Sequence, residues 1–134
     1  MRESRTADRV VQWLDRATEA RRACLRSASE GRVYDSALSA FDSVRFALHG
    51  AAEAHGIASR EGDSLLALAE SLSKATQFGC IPCRFSSLLV LGQDLRAAGY
   101  PPDRVRRMLP KALEVSENLA HLALARVPEA SRQD

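Results

Sequence analysis

The chain has 134 residues, of which 46% are hydrophobic and 27% charged; that is enough for one compact domain, too short for two, and too apolar for disorder. Its 19 basic and 17 acidic side chains leave a net charge of +2, which supplies no general attraction to nucleic acid or to an anionic membrane. Apolar runs such as Leu88–Leu91 fall far short of the roughly 18 residues of a membrane span. No apolar segment follows the charged start Met1–Arg5, so a secretory leader is not expected, and three cysteines are too few for a disulfide scaffold. The expected setting is the reducing cytoplasm, away from membranes.

From Thr6 to about Ser29, Val10, Leu14, Ala17, Cys24 and Ala28 recur at helical steps, with arginines and acids on the other faces. Gly31 is free to take the left-handed conformation that closes such a helix. A second stripe follows in Tyr34, Leu38, Phe41, Val44 or Arg45, Leu48, Ala52 and His55, stopped by Gly56. The few residues between these two segments dictate an antiparallel hairpin.

Residues 57–62 carry two glycines and no period, and read as a loop. Asp63 or Ser64 then caps a third helix bearing Leu65, Leu68, Ala69, Leu72 and Ala75. Phe78–Cys83, with Gly79 and Pro82, breaks the pattern, and a fourth helix is expected with Phe85, Leu88, Leu89, Gly92 and Leu95 on one face. Ala98–Asp103 ends it. Asp103 is expected to cap the last segment, whose stripe runs through Val105, Leu109 or Met108, Ala112, Ser116 or Val115, Leu119 and Leu122. Pro110 lacks an amide donor, which predicts a short turn before it and a helix starting at it. Pro128 ends that helix. The expectation is a single all-α domain over 1–134, an antiparallel bundle of about five helices, with 1–5 and 129–134 frayed.

Charge is unevenly distributed. Residues 96–111 hold five basic groups (Arg96, Arg104, Arg106, Arg107 and Lys111) against the single acid Asp103. Guanidinium groups favour carboxylate and phosphate contacts, so this turn around Tyr100 is a candidate surface for an acidic or phosphate-bearing partner.

The run Gly31–Phe41, continued by Ser43–Leu48 and closed by His55–Ile57, resembles the second helix of HEPN-type domains, small helical bundles with a Gly-x-Tyr-x-x-Ala opening. Leu95–Tyr100 followed by Ala112–Leu119 is similar to that family's arginine-containing turn and final helix. The resemblance implies an up-down topology and a dimerising or RNA-directed role. Ribonuclease members have an arginine followed by four to six intervening residues and then a histidine. Here Arg96 is followed after three residues by Tyr100, and Arg45 after three by His49, so neither pair keeps the catalytic spacing. Tyrosine, with a pKa near 10, is a poor proton shuttle at neutral pH.

Cys80 and Cys83 stand at a spacing that serves thiol exchange or metal binding, but no strand precedes them and no second cysteine pair completes a zinc site. His49 and His55 are six apart on one helix and cannot grip one ion together. His121, among leucines, reads as a packed, hydrogen-bonded ring. Trp13 neighbours Leu14 rather than heading the stripe, which places it at the bundle edge, where large aromatics anchor interfaces. No nucleophile elbow or phosphate-binding glycine loop appears, and no cofactor is expected. The reading is a non-catalytic interaction module that binds itself or another protein. Its alternatives are a HEPN-like RNA-cleaving or RNA-binding component of a toxin or defence system, and a thiol-based metal or redox sensor acting through Cys80 and Cys83. Candidate binding residues are Trp13, Arg45, His49, Arg96, Tyr100, Arg104 and Arg107.

Overall fold

The computed structural model describes residues 2–76 and 85–127, with side chains from residue 5 onward. Four α-helices appear among them and no strand: α1 (Arg2–Ser29), α2 (Val33–Ala54), α3 (Leu65–Thr76) and α4 (Pro102–Leu124). No helix is long and apolar enough to cross a membrane among the described residues. Cys80, Cys83, Pro128 and the tail 129–134 lie outside the described residues.

The α1–α2 hairpin closes as its glycine implies. Gly31 sits at φ +78°, and the amide of Arg32 donates back to Ser27 O at 2.9 Å while that of Gly31 donates to Ala28 O. Gly56 ends α2 in the same manner, with the amide of Ile57 donating to Ala52 O at 2.9 Å. Both ends satisfy carbonyls that a helix otherwise leaves open. Of the two proposed caps of α3, Ser64 takes the role: its Oγ accepts from the amide of Ala67 at 3.3 Å. Asp63 instead accepts from the amide of Arg60 at 2.8 Å and tightens the loop.

α2 lies at the centre, packed along its length on both α1 and α4, which barely touch each other. Tyr34 meets Tyr100 and Ser43 meets Ser116, so α4 runs parallel to α2 and antiparallel to α1. A helix with neighbours on two sides needs slim flanks. Ser36, Ala37, Ala40, Ser43, Ala47, Gly50 and Ala51 are all buried. The larger residues of the expected stripe are displaced outward: Tyr34 and Phe41 are half-buried, and Leu38 is 47% exposed. On α1, Val10, Leu14, Ala17 and Cys24 are buried as the period implies, while Ser27 rather than Ala28 enters the interior.

The expected fourth helix does not continue beyond Ser86 among the described residues. Only Phe85 and Ser86 are α-helical there; the chain then forms a turn and a single 3₁₀ turn, Leu89–Gly92, with bonds from Leu88 N to Phe85 O, Leu91 N to Leu88 O and Gln93 N to Val90 O. Three residues per turn puts Phe85, Leu88 and Leu91 on one side, and these are the residues buried, whereas Leu89 is half-buried and Gly92 exposed. Gly92 lies so close to Phe41 that a Cβ would stand 2.8 Å from the ring. This close approach makes room for the segment against α2. The described part of the bundle therefore has four helices where about five are expected.

α4 also departs from expectation. It is continuous through Pro110, and Asp103 does not cap it; Pro101 precedes the first turn and Pro102 opens it. Pro110 points to solvent. The carbonyl that loses its partner, on Arg106 four residues earlier, belongs to an exposed stretch where water can satisfy it, so the helix survives.

Candidate interaction surface

The outer face of the α1–α2 hairpin gathers side chains that sequence spacing keeps apart. Trp13 of α1, half-buried at the bundle edge, lies flat on His49 of α2, with centroids 4.4 Å apart and planes at 14°. Phe46, one turn before His49, stacks on the same indole at 6.1 Å and 30°. Gly50 permits this approach: a Cβ there would meet Leu14 Cδ2 at 3.0 Å and Trp13 Cβ at 3.3 Å.

Guanidinium groups cover the aromatic cluster. Arg16 lies 4.2 Å from the Phe46 centroid and 4.9 Å from that of Trp13; Arg45 lies 4.4 Å from Phe46. Both reach Glu61 in the 57–64 loop, at 2.6 Å from Arg16 and 3.7 Å from Arg45, and Arg45 also pairs with Asp42 at 3.0 Å. The hydrogen bond and charge of Arg16 hold the Glu61 carboxyl below its ordinary pKa, with Arg45 adding to the effect. Beside this lattice, Glu53 is 5% exposed and is matched by Arg9 at 2.6 Å, with Ser59 Oγ 3.5 Å away.

His49 is 1% exposed, and its Nδ1 has no hydrogen-bond partner among the described residues. Burial, with the nearby charge of Arg45, lowers its pKa, so the ring is neutral at pH 7. A ring so shielded packs Trp13 rather than meeting substrate. The Arg45–His49 pair thus separates: the arginine faces the aromatic and acidic surface, the histidine the interior. His55 is half-buried and its Nδ1 lies 2.9 Å from Ala51 O. His121 is exposed, against the expectation of a packed ring, because the buried face of α4 passes through Ala120 and Ala123.

Alongside the aromatic cluster runs an open groove of about 530 Å³ between α1 and α2. Ala20, Ala23 and Phe46 line it between charges of both signs, Arg16 and Arg26 against Asp15, Glu19 and Asp42.

The remaining sequence candidates collect around the start of α2. Tyr34 donates its hydroxyl to Tyr100 O at 2.7 Å, Arg96 lies 4.8 Å from the Tyr34 centroid, and Arg104 lies 4.5 Å from that of Tyr100. Arg107 is exposed and its Nε approaches Asp103 O at 3.4 Å. Six of the seven candidates therefore divide into two groups, Trp13 and Arg45 with the buried His49 beneath them on the α1–α2 hairpin, and Arg96, Tyr100 and Arg104 at the start of α2, while Arg107 lies one turn beyond Arg104 on α4. Sequence reasoning missed Arg16, Phe46 and Glu61. Arg16 stands one turn after Trp13, a cation–aromatic spacing that could have flagged it; Glu61 lies in a loop with no period and carried no such signal. Compared with known family models, curated proteins and solved structures, the chain matches none.

Proposed function

We propose that this chain is a non-catalytic helical interaction module that pairs with a second copy of itself through the α1–α2 groove. The observation that carries this reading is the groove's mixed charge around a slim floor. Isologous interfaces must be complementary to themselves. Glu19 and Arg26 are seven residues apart, two turns along one face of α1. A two-fold axis midway between them, beside Ala23, sets each Glu19 against the Arg26 of the other copy. Ala20 and Ala23 let the two helices approach closely. Phe46 and Trp13, capped by arginines, supply the aromatic and guanidinium anchors that dominate interface energetics. The HEPN-like resemblance, with its dimerising members, agrees with this use of the bundle.

Light scattering on the purified chain tests it. The expected mass is that of two chains, falling to one in Glu19→Arg and recovering in the Glu19→Arg/Arg26→Glu double variant, which restores opposite charges across the axis. A one-chain mass at every concentration would refute it. Incubation with bulk RNA addresses the nuclease alternative: cleavage that disappears in Arg96→Ala would put RNA in place of the second copy.

A further inference from the structure

A second concave site lies at the start of α2, with no lining residue in common with the α1–α2 groove. Its volume is about 450 Å³, within the range of small-molecule sites. Three guanidinium groups from three different segments line it: Arg32 from the α1–α2 turn, Arg96 from the turn before α4, and Arg106 from α4 itself. Asp35 is the one carboxylate among the lining residues.

The arginines are held in place to different degrees. Arg32 is engaged by Glu30 and Asp35, and Arg106 by one hydrogen bond to Asp103 at 2.7 Å, which leaves most of its donors open. Arg96 pairs with no carboxylate among the described residues; its guanidinium rests against the Tyr34 ring, and that ring is fixed by its own bond to Tyr100 O. An oriented cation with its donors uncommitted thus faces the cavity, with a second, largely uncommitted one from α4.

We propose that this cavity binds a phosphate dianion, free or as the monoester of a small organic group. A planar carboxylate takes a fork of donors from one guanidinium, whereas a tetrahedral oxyanion accepts charge-assisted bonds from several directions at once. Donors arriving from three segments suit the second geometry. The site exceeds one oxyanion in size, and Pro102 and the Tyr34 ring offer an apolar wall for an ester substituent.

Amide NMR titration of the full chain with inorganic phosphate, glycerol phosphate and acetate at constant ionic strength tests the proposal. Both phosphates are expected to give saturating shifts confined to residues 31–35 and 96–106, and acetate is not. A tighter fit for glycerol phosphate identifies the ester as the source of the dianion; a tighter fit for inorganic phosphate identifies the free ion. Loss of one charge-assisted contact in Arg96→Gln weakens binding by about tenfold or more, and Arg106→Gln does likewise. Asp35→Asn tightens it by removing the opposing charge. These side chains are solvent-exposed, so each variant is expected to keep the native circular dichroism. Non-saturating shifts, an equal response to acetate, or an affinity unmoved by the arginine substitutions would overturn the proposal.

Discussion

Trp13 and His49 come from opposite arms of the hairpin and lie nearly parallel at 4.4 Å. The contact buries an imidazole whose Nδ1 finds no partner among the described residues, and burial favours its neutral form. Its pKa is lowered first by burial and then by Arg45; the acids Glu61 and Asp63 oppose this, and Arg16 adds to it.

That relationship sets a pH dependence. The unfolded ring takes up a proton near pH 6.5, and the folded one only at lower pH. Between those points the unfolded chain binds more protons, so this contribution to stability is complete above about pH 6.5 and is lost as pH falls toward the folded value. The melting temperature is expected to drop between about pH 7.5 and 5.5, with a shallower slope in His49→Phe, which keeps a flat ring under Trp13. Parallel slopes for the two proteins would show that His49 does not contribute.

Gly50 is the second consequence of this contact. Valine there pushes into Leu14 and Trp13 Cβ, and overpacking of this kind costs about 1–3 kcal/mol. Thermal unfolding of Gly50→Val is expected to shift down, together with a change in Trp13 fluorescence. Stability equal to that of the native chain would mean that α1 yields easily.

Cys24 is 1% exposed, and burial raises its thiol pKa above the ordinary value. The thiolate is the reactive form, so the peptide carrying Cys24 should remain unmodified by a thiol reagent at neutral pH until the protein unfolds. Mass spectrometry of the labelled digest reads this directly. Cys24→Ser, which places a hydroxyl in the same apolar site, is expected to cost about 1–3 kcal/mol.

Arg9 and Glu53 form an ion pair of unequal exposure, 59% against 5%. Arg9→Ala leaves a buried carboxylate with Ser59 alone at 3.5 Å, and a penalty of about 1–3 kcal/mol is expected. In Arg9→Ala/Glu53→Gln much of that loss should return, because the uncompensated charge is gone. Denaturant unfolding of the native chain, Arg9→Ala, Glu53→Gln and the double variant measures the coupling, and a double variant no better than Arg9→Ala would rule out a charge effect.

Much of the architecture was readable from local chemistry. The two glycine-ended helices, a cap of α3 at Asp63 or Ser64, and four of the five stripe positions of α1 (Val10, Leu14, Ala17 and Cys24, though not Ala28) follow from period and backbone freedom. The departures have physical causes too. Leu38 reads as core by hydropathy, yet it is 47% exposed, since a helix squeezed from two sides buries its smallest residues. Residues 88–92 read as α-helix because apolar spacing of three is shared by α and 3₁₀ geometry. Pro110 reads as a break, but its freed carbonyl lies on a hydrated face. In the candidate surfaces, Trp13 was identifiable from its place beside the stripe, whereas Glu61 became visible only through its partners Arg16 and Arg45.

By itself the sequence determined that the chain coils into helices, where α1 and α2 stop, and that a hairpin joins them, because these depend on neighbours within a few residues. The tertiary structure alone decided that α2 occupies the centre, that His49 is sealed under Trp13 while Arg45 turns outward, and that Arg32, Arg96 and Arg106 share one cavity. Periodicity specifies which residues share a face of one helix; which helix that face meets depends on close packing among residues distant in the chain.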